Sequence, residues 1–344
     1  LQKDNAAYLA AFARSLIRRG ETGEAAVWVG RLADAAPTAL ATATLQTQLL
    51  CRTGKAADAL PVIRRYADAS DGPAVDPAER ALAAADLFDQ AFWAGAGRGA
   101  ADAAEGLYRK HKELSKRPDA ALPLAVFYGR HDAPDRALAL CEEALKRCPP
   151  DRVAMAGLAA TSGGSATNAH FAKVEGWLRQ AMAKKPDSAD LHFLLGNLRE
   201  QQGQAAAAEA EYRQALVRTP SHAGALNNLS FLLAMTGKGA EAVQVAQRAV
   251  DAAPGAPPGL LDTRAVAYTA AGDLAAAKKD LEAVVAVDGS PAAYFHLAVV
   301  YSRLKDGAKA ATALRQARTA GLRGQLLHPL ERATYERLVA ELKP

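Results

Sequence analysis

Two consecutive stretches of this chain superpose without a gap at a spacing of 34 residues. Residues 189–220 read ADLHFLLGNLREQQGQAAAAEAEYRQALVRTP, and residues 223–254 read AGALNNLSFLLAMTGKGAEAVQVAQRAVDAAP. The matched pairs include Leu195 with Leu229, Gly203 with Gly237, Ala208 with Ala242, Ala215 with Ala249, and Pro220 with Pro254. A repeat of this length predicts small helical units that bury their apolar faces on their neighbours, because one unit alone cannot do so.

The same frame extends over most of the chain. The clearest units are 6–37, 40–71, 118–149, 189–220, 223–254, 258–289 and 291–322. Units 76–117 and 151–186 diverge, because the first has a long glycine-rich turn and the second has an inserted loop. Connectors at 70–76 and 254–259 barely shift the frame, so we expect one continuous array over 1–344, closed by an amphipathic capping segment at 326–342.

These residues resemble the tetratricopeptide repeat family. Its pattern places small residues at positions 8, 20 and 27, glycine at position 15 and proline at position 32. Small residues let two helices approach closely, glycine forms the turn, and proline ends the second helix. The resemblance implies an all-α fold, a right-handed α-solenoid of about nine antiparallel helix pairs plus a C-terminal capping helix, in a protein of bacterial type. Within this pattern, Lys305 replaces a turn glycine.

Composition excludes several classes of protein. Half of the residues are apolar and the formal charge is only +5, which argues against disorder and against an electrostatic nucleic-acid surface. No apolar stretch reaches 18 residues, so no membrane span is expected. Three cysteines cannot build a disulfide framework, which suits a reducing compartment such as the cytoplasm.

The sequence lacks the patterns that catalysis needs. No histidine has a second histidine four residues away, and there is no Gly-x-Ser-x-Gly motif. Gly95, Gly97 and Gly99 follow no strand, so we interpret them as a helix-to-helix turn rather than a phosphate loop. We therefore expect no catalytic residue, no cofactor and no metal. A basic run at 109–117 reads as a solvated helix end or, alternatively, as a docking patch for an acidic partner.

The resemblance also implies a binding groove, because the first helix of each repeat lines the concave face in this family. Carried over by position, the predicted groove residues are Phe193, Asn197, Asn227, Asn228, Phe231, Met235, Asp262, Val266, Phe295, Val299 and Arg303. Aromatic and methionine side chains beside amides suit an extended peptide or a partner helix. The alternative is that some of these side chains, Val266 and Val299 above all, pack on the neighbouring repeat.

Two functions follow from this interpretation. The first is a non-catalytic scaffold that binds a protein or peptide in the concave groove. The alternative is the repeat region of a larger bacterial enzyme, such as a protease, kinase or transferase, which would position a substrate or an upstream domain of the same polypeptide. This alternative is suggested by the absence of an initiator methionine at Leu1.

Overall fold

The computed structural model describes residues 5–69, 75–287, 289–324 and 327–342. Within these ranges the chain forms 19 α-helices and no β-strand. The prediction of an all-α repeat fold is therefore confirmed. Residues 70–74 of the first predicted connector, residue 288, and residue 326 at the start of the predicted cap lie outside the described residues.

The first compact unit comprises residues 1–184 and holds five helix pairs. Its helices are α1 (Ala6–Arg18), α2 (Thr22–Ala35), α3 (Leu40–Arg52), α4 (Ala59–Ala67), α5 (Pro77–Ala91), α6 (Arg98–Leu114), α7 (Leu122–Arg130), α8 (Pro134–Leu145), α9 (Pro150–Ala160) and α10 (Asn168–Lys184). Consecutive helices pack on each other, and α7 also packs directly on α9.

The second compact unit comprises residues 185–344 and holds four helix pairs followed by one further helix. Its helices are α11 (Ala189–Gln201), α12 (Ala205–Arg218), α13 (Ala223–Met235), α14 (Gly239–Ala252), α15 (Pro258–Ala271), α16 (Leu274–Val287), α17 (Pro291–Arg303), α18 (Gly307–Thr319) and α19 (Arg332–Leu342). A short 3-10 turn, Pro329–Glu331, precedes α19.

The turn inside each clear repeat depends on one left-handed residue. Position 15 has a φ between 59° and 88° in all seven clear units: Gly20, Gly54, Asp132, Gly203, Gly237, Gly272 and Lys305. Glycine adopts this backbone without a steric penalty, whereas Asp132 and Lys305 must bear one. The Asp132 carboxylate accepts a hydrogen bond from the Ser165 backbone N–H at 2.9 Å, which helps to hold its turn.

Helix pairs close tightly because small residues stand at the contacts. The alanine at position 20 is completely buried in every clear unit: Ala25, Ala59, Ala137, Ala208, Ala242, Ala277 and Ala310. At position 8, a Cβ added to Gly196 would lie 2.5 Å from the Tyr212 ring of the paired helix. Substituting either kind of site with a larger residue would force the two helices apart.

The divergent unit 76–117 also forms a helix pair, α5 and α6. Their connection contains a π-helical stretch, Phe92–Ala96, in which Gly95 has a φ of 101°. Gly97 continues the turn with a φ of 87°. Gly95 and Gly97 thus provide the predicted helix-to-helix turn, whereas Gly99 lies in the first turn of α6.

Candidate partner-binding groove

All eleven predicted groove residues lie on the first helices of the four pairs in the second unit, α11, α13, α15 and α17. We call the surface that they form the groove. The structure divides ten of these residues into an amide cluster, an aromatic edge and the lining of a cavity, and the eleventh, Asp262, pairs with His296. The three parts differ in how much surface they leave for a partner.

The amide cluster connects two neighbouring repeats. The Asn228 side-chain amide donates to the Asn197 carbonyl oxygen at 2.9 Å, and Asn227 donates to Asn228 at 3.3 Å. The Tyr212 hydroxyl lies 2.7 Å from the same Asn197 oxygen and also contacts the Glu200 carboxylate. Burial, and next the Glu200 charge, raise the pKa of Tyr212. These amides hydrogen-bond largely to one another, and these bonds fix the register of α11 against α13.

The aromatic edge consists of Phe193 and Phe231, both half-buried against the same apolar cluster. The Phe193 ring lies 5.0 Å from the His222 ring. The Phe231 ring meets the His328 ring edge-on at 5.1 Å. Both phenylalanines keep part of their surface open, so they are available to an apolar side chain of a partner.

A cavity of about 260 Å³ lies further along the same face. Met235, Val266, Phe295, Val299 and Arg303 all line it. Val266 is 6% exposed and Phe295 only 1% exposed, so they form the floor of the cavity and offer little surface of their own. Met235 and Val299 are half-buried and form its apolar walls.

The rim of this cavity carries two exposed guanidinium groups, those of Arg303 and Arg337. Arg303 donates to the backbone carbonyl of Thr269 at 2.8 Å. Among the described residues, neither arginine pairs with a carboxylate. An apolar cavity with positive charge at its rim suits a ligand that has an apolar side chain beside an acidic group.

A buried histidine beside the cavity was not among the predicted groove residues. His296 lies between two carboxylates, with Nδ1 2.8 Å from Asp262 and Nε2 2.7 Å from Glu331. Burial on its own lowers the pKa of His296, but Asp262 and Glu331 outweigh it and raise that pKa to about 10. The imidazole is therefore protonated at neutral pH and donates from both ring nitrogens. Asp262, which is one of the predicted groove residues, is therefore already paired with His296.

The residues after α18 also reach the groove. His328 Nε2 lies 3.1 Å from the Glu200 carboxylate, which belongs to α11. Glu331, Thr334 and Arg337 line the cavity. The repeat pattern does not indicate these residues, because they follow the last repeat and have no counterpart in the other units.

The first unit contains a separate cavity of about 560 Å³, lined by residues of α5, α6, α7 and α9 and of the segment before α7. Its arginines are engaged in ion pairs: Arg130 lies 2.8 Å from Asp89, and Arg117 lies 3.0 Å from Asp119. In the basic run at 109–117, Arg109 pairs with Glu105 and Lys112 with Glu143. The guanidinium groups named here are therefore already partnered.

The described residues were also compared with what a metal site, a membrane span or a reactive thiol would require. They contain no group of three or more metal-ligating side chains. None of their helices is both long and apolar enough to cross a bilayer. Cys141 is fully buried, and burial, followed by the Glu142 charge, raises the pKa of its thiol to about 12. This thiol therefore packs in the core and is a poor nucleophile.

Comparison with known families agrees with this architecture. A family model described as tetratricopeptide repeat matches residues 177–221, 193–257 and 263–321. The match to tetratricopeptide repeats covers residues 177–257 and 263–321. Proteins built from these repeats are generally protein-interaction scaffolds, and the matching model describes a repeat rather than a catalytic domain. A comparison with curated proteins gives no match.

Solved structures with a similar fold include a tetratricopeptide repeat protein and a type IV pilus biogenesis factor. A tetratricopeptide repeat protein from Parabacteroides merdae is 16% identical, with a TM-score of 0.51 over 78% of this chain and 99% of that one. Pseudomonas aeruginosa PilF is 18% identical, with a TM-score of 0.43 over 62% and 89%. PilW, a type IV pilus biogenesis factor, is 21% identical, with a TM-score of 0.47 over 60% and 94%. At such identities the likeness concerns the fold alone.

Proposed function

We propose that the chain is a non-catalytic scaffold that binds a segment of a partner protein or peptide in the groove of its second unit. The observation that carries the proposal is the cavity lined by α13, α15, α17 and the residues after α18. It combines apolar walls with two exposed guanidinium groups at its rim, neither of which pairs with a carboxylate of the described residues. Phe193 and Phe231 extend the same surface with half-buried aromatic rings. Aromatic and methionine anchors with a polar rim are typical of protein interfaces.

Peptide display on the full chain tests this function. We expect peptides selected from a random library to lose at least tenfold in affinity when Phe193→Arg and Phe231→Arg are combined. Each change places a solvated charge where an apolar anchor should pack. Affinity is measured by fluorescence anisotropy, and circular dichroism establishes that the double variant is folded.

A matched control adds the same charge elsewhere. Val217 on α12 and Val287 on α16 are both exposed, and neither is a predicted groove residue. The double variant Val217→Arg/Val287→Arg should keep the affinity of wild type. Equal binding by the groove variant and this control would show that the groove is not the binding surface. The alternative, a repeat region that positions domains of a larger enzyme, stays a prediction.

A further inference from the structure

The segment at 327–342 does more than cover the last helix pair. A cap for that pair needs contacts with α17 and α18 only. In the structure, His328 instead reaches Glu200 on α11 and Phe231 on α13, at 3.1 Å and at a ring distance of 5.1 Å. Glu331 accepts a hydrogen bond from His296 on α17 at 2.7 Å. We call residues 327–342 the C-terminal segment.

The C-terminal segment lies on the groove itself. Its Tyr335 ring covers Phe295 at a distance of 5.9 Å. Its Thr334 and Arg337 line the same cavity as Met235 and Val299. Part of the surface proposed for a partner is therefore filled by this chain's own residues.

The contacts of the C-terminal segment are those of a peptide ligand. One apolar residue, Leu327, is 5% exposed within the core cluster of the last repeats. The next residue, His328, meets a carboxylate, and Glu331 meets a protonated histidine. In contrast, Leu330 stays 46% exposed, and Leu338 is the only fully buried residue of α19. A few anchors joined by exposed residues are typical of segments bound in grooves.

We infer that the C-terminal segment is an intramolecular ligand of the groove and that the partner is a protein segment of the same chemistry. This segment has an apolar residue, then a histidine, then a carboxylate three residues later, and continues as an amphipathic helix. Its histidine faces Glu200, its carboxylate faces His296, and its helix covers Phe295. The inference rests on the proposed function and names its ligand class.

The inference is tested by competition between a free peptide and the attached C-terminal segment. The probe is a fluorescein-labelled synthetic peptide with the sequence of residues 326–342, LLHPLERATYERLVAEL. Wild-type full chain should bind it weakly, because the attached segment competes at a high effective concentration. The full-chain variant His328→Ala/Glu331→Gln should bind the probe at least tenfold more tightly, since its own segment has lost two anchors.

Two controls make the result specific. Glu336 and Glu341 are exposed residues of α19, so Glu336→Gln/Glu341→Gln should leave probe binding as weak as in wild type. A probe with the His328→Ala and Glu331→Gln changes should not bind any of these proteins. Adding Phe231→Arg to the His328→Ala/Glu331→Gln chain should abolish binding of the unchanged probe, because Phe231 contacts His328.

Amide exchange separates a displaced segment from a damaged fold. In His328→Ala/Glu331→Gln, residues 329–342 should exchange faster while α11 to α16 keep their protection. A uniform loss of protection without probe binding would show that the segment is an integral cap and would overturn the inference. If library peptides bind through Phe193 and Phe231 but the probe never does, the inference fails and the proposed function stands.

Discussion

At the scale of single residues, the close packing of neighbouring helices depends on glycines, because glycine has no side chain to keep two helices apart. Gly129 on α7 is buried, and a Cβ at this position would lie 2.2 Å from the Cα of Ala160 at the end of α9. No rotamer change can relieve a contact with backbone. Gly106 on α6 is exposed, and a Cβ there would meet nothing within 4 Å.

This pair of glycines predicts opposite effects of one substitution. Gly129→Ala should lower the free energy of unfolding by about 3 kcal/mol, because α7 and α9 must separate. Gly106→Ala should raise it by about 1 kcal/mol, because alanine loses less backbone entropy in a helix. Urea unfolding of the full chain measures both. A stabilised Gly129→Ala would show that α7 and α9 are not in backbone contact.

At the scale of helices, the repeat positions could be predicted from the sequence because their residues have local and periodic causes. A left-handed turn residue favours glycine, and a close helix contact favours alanine, at the same offset each time. At Lys305 the residue type alone would not predict the turn, because this residue adopts the left-handed conformation without being glycine. The frame of its neighbours, not Lys305 itself, indicates the turn.

The groove could be predicted only in part. The face of each first helix follows from helical periodicity, so the predicted residues occupy matching positions on those helices, although Val266 and Phe295 are buried there. The burial of Phe295 and the pairing of Asp262 depend on Tyr335 and His296. Tyr335 belongs to the non-repeating C-terminal segment, and the paired arrangement of His296 depends on Glu331 from the same segment. Contacts between a repeat and a segment outside it leave no period in the sequence.

The attachment of the C-terminal segment should depend on pH through His296. Its folded pKa of about 10 lies above the ordinary histidine value of 6.5, so the stabilisation is complete below pH 6.5 and is lost as pH rises towards 10. The charged groups on this side are Asp262, Glu331, Arg303 and Arg337. Because protonated His296 holds Glu331, the loss of stability caused by Glu331→Gln should shrink over this pH range.

Urea unfolding of wild type and Glu331→Gln across that pH range measures this linkage. Glu341→Gln, on the exposed side of α19, serves as the control and should show no such trend. A difference between wild type and Glu331→Gln that grows as the pH rises would contradict a protonated His296 in the folded protein.

At the scale of the whole molecule, the stability of each helix pair should depend mainly on its contacts with the adjacent pairs. Each helix pair of the second unit packs mainly on the pairs next to it, as α12 packs on α11 and α13. Ala208 on α12 is completely buried in the cluster that contains Tyr212, Leu226 and Ala242. Ala210 lies on the same helix and is exposed.

Replacing these two alanines tests that arrangement. Ala208→Glu should lower the stability of the second unit by about 3 kcal/mol or more, because it overpacks a helix contact and buries an unpaired charge. Ala210→Glu should change it by less than about 0.5 kcal/mol, as is usual for surface substitutions. Hydrogen exchange should show the largest loss of protection in α11 to α14 and a smaller loss in α17 and α18. An even loss across the second unit would mean that it unfolds as one cooperative block rather than repeat by repeat.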